Sequence, residues 1–308
     1  MELVHATAIF AGLALDRILG DPQRHHPVAY FGSFVGAVEK CTYRDCKWAG
    51  VGLVAATVVP MVVVTRAAYR RAPALTTALA LWAALGGRTL EETGVRLATD
   101  LERGDLDAAR AWIPWLCSRD PQLLDAAGMA RAAVESIAEN TSDAAIAPIV
   151  WAAIAGAPGV VLHRCVNTLD AMVGYRNDRY SNYGWAAAQL DDVLAFVPAR
   201  LTAATHVLLA ATRRRGAAAI TAWREDAPQH PSPNAGPVEA TAAAALGVQL
   251  GGETHYSYGV EHRPTLGSGP QPGTGTIRDA VRLARATQVL VAIGVIRLRS
   301  VLPRHAAS

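Results

Sequence analysis

Four side chains that could bind a divalent cation lie in the short stretch ESIAENTSD, which runs from Glu135 to Asp143. At about 100° per residue, Glu135, Glu139, Asn140 and Asp143 share one face of a helix. Carboxylates in this arrangement hold Mg²⁺ together with waters and substrate phosphates. A solvated helix face is the commoner outcome for acids at this spacing. An uncharged run begins at Ala144, however, and ionisable groups beside a membrane are costly and usually functional.

A second polar set follows that run, between His163 and Ala203. Asn167 and Asp170 share a helical face, and acids of this kind suit a metal or a proton acceptor. Arginine is suited to forked recognition of phosphate oxygens. Anchoring by an interfacial belt of tyrosines is the alternative, which the Asn and Asp content disfavours. The other candidates of this set are Arg176, Asn177, Arg179, Asp191 and Asp192.

Histidines mark two further segments. The first, LDRILGDPQRHHPVAYFG, places Asp21, His25 and His26 directly after an apolar helix. A lone histidine is more often structural, but the neighbouring acids favour a functional role here. The second, HPSPNAGPVEATAAAALGVQLGG, begins at His230 and forms a rigid polar turn before a helix, with Ser232 and Asn234 exposed to a ligand. A turn of this kind is a weak signal by itself.

The elements that position these residues are expected to be membrane helices. Of the 308 residues, 51% are hydrophobic and 18% are charged, whereas soluble proteins average about 25% charged residues. Two uncharged runs, Trp48 to Thr65 and Ala144 to Leu162, approach the roughly 17 to 25 residues that span a bilayer. Because alanine-rich segments are only weakly hydrophobic, buried helices of a large soluble domain are the alternative.

The predicted fold is all-α: a polytopic helical integral membrane protein with re-entrant or broken helices and polar helical insertions. Gly156-Ala157-Pro158-Gly159 interrupts one apolar run, and the chain either turns back there or continues as a kinked spanning helix. We expect a single membrane-embedded domain over residues 1–308. Within it, residues 88–131 form amphipathic extramembrane helices, and residues 251–276 form a flexible Gly/Pro-rich segment with Thr276 as a helix N-cap.

Several classes of site are disfavoured. The net charge of +3 is small and the arginines are spread along the chain, so nucleic-acid binding is not expected. The four cysteines show no zinc spacing. The glycine-rich segment from Gly267 lacks the Lys-Ser/Thr ending of a P-loop, and no strand is predicted before it.

Taken together, four motifs resemble those of the CobD/CbiB family, the adenosylcobinamide-phosphate synthases of cobalamin biosynthesis. They are LDRILGDPQRHHPVAYFG, ESIAENTSDAAIAPIVWAAIAGAPG, VNTLDAMVGYRNDRYSNYGWAAAQLDDVLAFVPARLTA and HPSPNAGPVEATAAAALGVQLGG. The similarity runs in order from about Leu15 to Gly252. Pro237 replaces the Trp that is usual in the family after the last turn, a departure that affects local packing.

The resemblance implies an enzyme of the cell inner membrane that joins adenosylcobyric acid to (R)-1-amino-2-propanol O-2-phosphate, or to aminopropanol, and hydrolyses ATP. It implies ATP as co-substrate, Mg²⁺ as cofactor, a corrinoid substrate and the lipid bilayer as partners, and possible contact with other cobalamin-assembly enzymes. Because ATP is cytoplasmic, the active site is expected to face the cytoplasm. The rival interpretation is a non-enzymatic transporter or an AmpE-like sensor, since transporters also break helices and bury acids.

Residue roles follow from this chemistry. An acyl phosphate supplies a leaving group, and Mg²⁺ bridges ATP oxygens. Asp170 is the preferred base for the attacking amine, with His26 as the second choice. The expected metal ligands are Glu135, Glu139, Asp143, Asp191 and Asp192, with Glu139 also counted as catalytic. The expected substrate-binding residues are Asp21, Asn167, Arg176, Asn177, Arg179, His230, Ser232 and Asn234.

Overall fold

A computed structural model describes residues 2–21, 26–256 and 259–301. His25 of the first motif therefore lies outside the described residues. Most of the described chain is helical, which confirms the predicted fold class. In chain order the elements are α1 Glu2–Leu19, α2 Pro27–Thr42, α3 Lys47–Arg71, α4 Pro73–Ala84, α5 Gly87–Glu102, α6 Leu106–Arg110, α7 Ala126–Asn140, α8 Ala147–Val173, α9 Trp185–Thr212, α10 Gly216–Glu225, α11 Ala235–Leu246, β1 Leu250–Tyr256, β2 Gly259–Leu266 and α12 Thr274–Val301.

Three helical stretches of the described chain are long and apolar enough to cross a membrane: Lys47–Arg71, Ala126–Val173 and Trp185–Thr212. They contain the two uncharged runs seen in the sequence. On α3, Val63 and Val64 keep 59% and 66% of their surface exposed. Exposed apolar patches of this kind are uncommon in soluble monomers. Outward-facing valines therefore support a lipid-facing surface.

The chain divides into two compact units. The first unit comprises Met1–Gly86, Ala144–Ala195 and Ala292–Ser308, and the second comprises Gly87–Asp143 and Phe196–Val291. In the first unit, buried side chains of α2, α3, α8 and α9 form one apolar core, and those of α1, α4 and α8 form another. In the second unit, α5, α7, α11 and α12 surround the largest core.

Helix α8 is broken where the sequence reads Gly-Ala-Pro-Gly. Gly156 has φ 64° and ψ −152°, a conformation that favours glycine. A Cβ built on Gly159 would lie 2.9 Å from the carbonyl oxygen of Trp151. Residues eight apart are separated by about 12 Å along a straight helix, so the chain bends sharply back at Gly156. This bend is the broken helix that the sequence predicted.

The acidic motif does not continue as a plain α-helix. Thr141–Ile146 forms a π-helical turn between α7 and α8. A π-helix has a wider turn than an α-helix, so the spacing of 3.6 residues per turn does not apply to Asp143. The predicted shared face of Glu135, Glu139 and Asp143 is therefore not produced by the α-helical geometry that we assumed.

The glycine-rich region contains regular structure, which corrects the prediction of a flexible segment over residues 251–276. Strands β1 and β2 pair antiparallel, with Leu250 opposite Leu266 and Gly252 opposite Arg263. A strand therefore precedes Gly267, contrary to our expectation, although the P-loop ending is still missing from the sequence. Helix α12 begins at Thr274, and the Thr276 hydroxyl accepts a hydrogen bond from the Gly273 N–H at 3.1 Å. Thr276 thus caps the start of α12 from a position inside its first turn. The sequence had predicted Thr276 at the N-cap position itself.

Candidate active site

The second unit contains a buried ion pair of Arg119 and Glu135, whose side chains are 5% and 4% exposed. One carboxylate oxygen of Glu135 accepts a hydrogen bond from the Arg119 guanidinium. The other accepts the Gly251 N–H at 2.7 Å. Both oxygens of Glu135 are therefore engaged by protein donors.

The local fold of β1 explains why Glu135 finds that N–H. The register between the strands shifts from Leu250 to Gly252, so Gly251 lies in a β-bulge. Its φ is 79°, and a Cβ there would lie 1.9 Å from the Pro264 carbonyl oxygen. Arg131, one turn before Glu135 on α7, donates to the Gly251 carbonyl at 3.0 Å. Together these contacts fasten the bulge to α7.

Four further charged or titratable side chains surround this ion pair, and we call the six residues together the polar cluster: Arg119, Glu135, Glu139, His230, Glu239 and Arg263. Glu139 lies one turn after Glu135 on α7 and is exposed. The charges of Arg263, Glu135 and Arg119 all act on it. The polar cluster thus combines two cations with an accessible carboxylate.

Glu239 is the most deeply buried acid of the polar cluster, at 2% exposure. Burial, followed by the charges of Glu135 and Glu139, raises the pKa of Glu239 well above its usual value. Arg263 and Arg119 oppose that rise. The carboxyl of Glu239 is therefore protonated more readily than an ordinary glutamate.

The HPSPN turn places His230 against Glu239 and starts α11. The Ser232 hydroxyl accepts the N–H groups of Asn234 and Ala235 at 3.3 and 3.2 Å, so Ser232 caps the helix. The Asn234 side-chain oxygen accepts a hydrogen bond from Arg200 of α9. Pro237, where the family usually has Trp, is buried in the first turn of α11, where a proline is tolerated.

His26 and Asp21 face each other in the first unit. His26 Nε2 lies 3.8 Å from an Asp21 carboxylate oxygen, and the side chains are 21% and 22% exposed. His26 Nδ1 accepts the Val28 N–H at 3.1 Å, which makes His26 the N-cap of α2. The structure therefore brings together the two members of the first motif that we named as site residues.

A chain of weak polar contacts links α8 to α9 in the first unit. Arg164 donates to the Asn167 side-chain oxygen at 3.4 Å, and the Asn167 amide donates to Asp191 at 3.4 Å. Asp170 lies one turn further along α8 and packs against Gly174. Asp192 is half-buried beside Asp191. The predicted pair of Asn167 and Asp170 thus shares a helix with Arg164.

The loop between α8 and α9 holds its arginine against other protein groups. Arg179 donates to Glu39 at 2.9 Å, and its guanidinium lies over the rings of Tyr43 and Tyr180. These hydrogen bonds raise the pKa of Arg179. Asn177 accepts the Tyr180 N–H at 2.9 Å, and Arg176 is exposed. Arg179 and Asn177 therefore have structural partners in this loop.

Comparison with known proteins places this geometry in a family. The family model described as "CobD/Cbib protein" matches residues 9–284. The chain belongs to the CobD/CbiB family. "Cobalamin biosynthesis protein CobD" of Mycobacterium tuberculosis is 47% identical over 300 residues, which cover 95% of each chain. The protein of the same name from Chromobacterium violaceum is 44% identical over 291 residues, 90% of this chain and 92% of that one. No solved structure matches the chain.

The polar cluster offers one accessible carboxylate to a divalent cation, that of Glu139. Mg²⁺ takes oxygen ligands and keeps several waters, so one or two carboxylates suffice. Glu139 is accessible, whereas Glu135 is engaged by Arg119 and Gly251. Across the described residues, no three His, Cys, Asp or Glu side chains are grouped closely enough to hold a metal by themselves. Glu139 is therefore the best-placed protein ligand, with phosphate oxygens completing the set.

Sequence reasoning missed three members of the polar cluster: Arg119, Glu239 and Arg263. Glu239 lies within the HPSPNAGPVEA motif and could have been selected as the acid one turn into the helix. Arg119 and Arg263 lie outside the four motifs. They join the polar cluster only through long-range packing, so no local spacing indicates them.

Proposed function

We propose that the protein acts in cobalamin biosynthesis as an adenosylcobinamide-phosphate synthase. Family membership over most of the chain supports the pathway, and a corrinoid is the corresponding substrate. The observation that carries the chemical part is the polar cluster. It places two guanidinium groups, an accessible carboxylate and a buried histidine around one region of the second unit.

The proposed reaction has two steps. The free propionate carboxylate of adenosylcobyric acid takes the γ-phosphoryl group of ATP, which gives an acyl phosphate and ADP. The amine of (R)-1-amino-2-propanol O-2-phosphate, or of aminopropanol, then attacks the acyl carbon. The C–N bond forms, the C–O bond to phosphate breaks, inorganic phosphate leaves, and the amine gives up a proton. Both steps concentrate negative charge, which guanidinium groups stabilise.

Glu139 is the proposed carboxylate ligand of Mg²⁺, and Asp143, Asp191 and Asp192 remain further candidates. When bound, Mg²⁺ would neutralise charge on the ATP phosphate oxygens. Glu135 fits better as the residue that holds Arg119 and the β-bulge in place, because both its oxygens are engaged. Arg119 is in turn held against the cluster, where its charge acts on Glu139.

The remaining proposed contacts are those with the amine and the corrinoid. Asp170 remains the preferred proton acceptor for the amine, and His26 with Asp21 is the second choice. Asn167, Arg176, Asn177 and Arg179 remain candidates for phosphate or corrinoid binding. Ser232 and Asn234 primarily stabilise the turn that contains His230. The Ser232 hydroxyl accepts the Asn234 N–H, and the Asn234 side chain accepts a hydrogen bond from Arg200. ATP requires these groups to face the cytoplasm, in a protein of the inner membrane.

The experiment that tests this function uses the full chain purified in detergent or in vesicles. We expect ATP- and Mg²⁺-dependent conversion of adenosylcobyric acid and aminopropanol phosphate to adenosylcobinamide phosphate. Mass spectrometry of the corrinoids measures this conversion. One ADP should form for each amide bond. Folded protein that makes no product with either amine, even after supplementation with a cell extract, contradicts the proposal.

A transporter is the second candidate, and the sharp break of α8 at Gly156 favours it. Transporters use broken helices to build sites at membrane depth. Vesicles loaded with corrinoid distinguish the two functions. Release of unmodified corrinoid without amide formation supports a transporter, whereas amide formation without release supports the synthase.

A further inference from the structure

The turn at His230 holds one ring nitrogen against the backbone of Ser232. His230 precedes Pro231, which disfavours helical backbone, and its φ and ψ are −74° and 138°. This extended conformation brings Nδ1 to the Ser232 N–H, at 3.1 Å. Nδ1 also lies 3.2 Å from the Ser232 carbonyl oxygen, so these distances alone permit either tautomer. The contact with the Ser232 N–H is the shorter of the two, and we take Nδ1 as its acceptor. In a neutral ring the hydrogen is then on Nε2.

The Nε2–H group that results has no acceptor. His230 Nε2 is buried and makes no hydrogen bond to any described residue. Its nearest acidic oxygen, Glu239 Oε1, is 3.9 Å away, which is beyond hydrogen-bond distance. The His230 side chain is 4% exposed. Leaving a buried donor unpaired costs about 1–3 kcal/mol, so such a group calls for an explanation.

The surroundings keep this ring neutral. Burial, the largest cause, lowers the pKa of His230, and the charge of Arg263 on β2 lowers it further. The Ser232 carbonyl oxygen, 3.2 Å from Nδ1, and the charge of Glu135 on α7 oppose this. Glu239 on α11, the acid that faces Nε2, has a raised pKa. Both shifts favour the neutral forms of His230 and Glu239 over an ion pair.

The charges beyond the pair favour an anion as the missing acceptor. Arg263 acts on both His230 and Glu239, and Arg119 acts on Glu239. An anionic oxygen that entered the polar cluster would be near two guanidinium charges and near the Nε2–H group of His230, which makes no hydrogen bond within the described part of the chain. Hydrogen bonds from pre-oriented donors to developing negative charge are worth far more than those to neutral oxygens.

We propose that His230 donates its Nε2–H to an anionic oxygen of the bound ligand, namely the reacting carboxylate and the oxyanion that forms from it during acyl transfer. Identification of the oxygen rests on the proposed function. Ser232 acts as a positioning residue, because its N–H contacts Nδ1, and Glu239 lies 3.9 Å from Nε2.

The first experiment measures the tautomer directly. Full-length protein with ¹⁵N-labelled histidine is studied in detergent at pH 7, and His230→Gln assigns the signals. We expect one resonance pair typical of the Nε2–H tautomer, which shifts when cobyric acid is added without ATP. Adenosylcobinamide, in which the carboxylate has become an amide, should produce a smaller shift. An Nδ1–H tautomer, or equal shifts with the two corrinoids, overturns the proposal.

The second experiment replaces His230 with two amide side chains, each of which reproduces one of the two ring nitrogens. His230→Asn keeps an acceptor for the Ser232 N–H but removes the donor, whereas His230→Gln keeps an N–H at the position of Nε2. We expect kcat to fall about 100- to 1,000-fold in the Asn variant, as for loss of one oxyanion donor. The kcat of the Gln variant should be at least about tenfold higher than that of the Asn variant. His262→Asn, at an exposed histidine of β2, is the control.

The outcomes separate the two proposals. If the wild-type protein forms no amide but its Nε2–H resonance shifts with cobyric acid, the proposed reaction is contradicted. The donor role of His230 is then supported. A wild-type protein that forms the amide, with a folded Asn variant equally active, overturns the donor role and keeps the reaction. Thermal unfolding of each variant identifies those that are folded.

Discussion

His26 and His230 hold their rings in the same way, although they lie in different units. Each precedes a proline and has extended backbone, and each accepts the N–H two residues later at 3.1 Å. Each presents Nε2 to a carboxyl oxygen, at 3.8 Å for His26 and 3.9 Å for His230. Their surroundings differ. His26 and its acid are 21% and 22% exposed, whereas His230 and its acid are 4% and 2% exposed.

This difference teaches that a local motif fixes the orientation of a side chain, and that burial decides what the side chain can do. The His-Pro dipeptide is sufficient to orient both rings. In the His26–Asp21 pair of the first unit, the buried atom without a hydrogen bond among the described residues is the carboxylate oxygen Asp21 Oδ1, and not a ring nitrogen. In the second unit the same geometry leaves a buried donor among guanidinium charges, where electrostatic interactions are stronger.

The largest expected effect is at the ion pair that supports the buried histidine. Glu135→Ala leaves the Arg119 charge and the Gly251 N–H buried without their acceptor. Breaking a buried pair in this way costs about 3–5 kcal/mol, so we expect a large fall in the unfolding temperature in detergent. The matched change in the first unit is Glu39→Ala, which breaks the exposed pair with Arg179. Equal falls in the two variants would contradict the assignment of Glu135 as the support of the site.

Glu139 should affect turnover without affecting folding. Glu139→Gln keeps the size of the side chain but removes the charge proposed to hold Mg²⁺. We expect kcat to fall about 100-fold, since a bound metal contributes several kcal/mol to transition-state stabilisation. Steady-state ADP release over a range of Mg²⁺ concentrations measures this. Glu225→Gln, at an exposed acid of α10, serves as the control, and near-normal turnover of the Glu139 variant would exclude the metal role.

These contrasts show which features the sequence could predict. The apolar runs predicted the long helices, and Gly-Ala-Pro-Gly predicted the break at Gly156, because both signals are local. The hairpin of β1 and β2 was missed, since glycine-rich strands lack a clear alternation. The partners of Glu135 are 16 and 116 residues away, and no spacing rule reaches them. We therefore assigned Glu135 to a metal when its oxygens were already engaged.

The acids opposite the two histidines offer a pH test. The pKa of Glu239 is raised in the folded protein, so folding takes up a proton at pH values where the unfolded glutamate is ionised. This contribution to stability is fully present below the unfolded pKa, about 4.3, and is lost as pH rises towards the folded value. The loss is at most about 1.4 kcal/mol per pH unit.

Glu239→Gln removes that proton uptake, so we expect its unfolding temperature to exceed that of the wild type increasingly between about pH 5 and 8. Asp21→Asn, opposite His26, is the matched variant in the first unit, and its half-exposed acid should give a smaller change with pH. Unfolding is followed in detergent at each pH. Parallel curves for wild type and Glu239→Gln would show that Glu239 is ionised in the folded protein.

The smallest expected effect is at Arg179, in the first unit. Its guanidinium is already paired with Glu39 and lies over two tyrosines, so only part of its donor capacity remains for a phosphate. We expect Arg179→Ala to raise the KM for aminopropanol phosphate by less than about tenfold, which is less than one full charge-assisted hydrogen bond provides. The KM for unphosphorylated aminopropanol should not change. A rise well above tenfold for the phosphorylated amine alone would show that Arg179 leaves Glu39 to bind substrate, and would assign phosphate recognition to Arg179 and not to the guanidinium groups of the polar cluster.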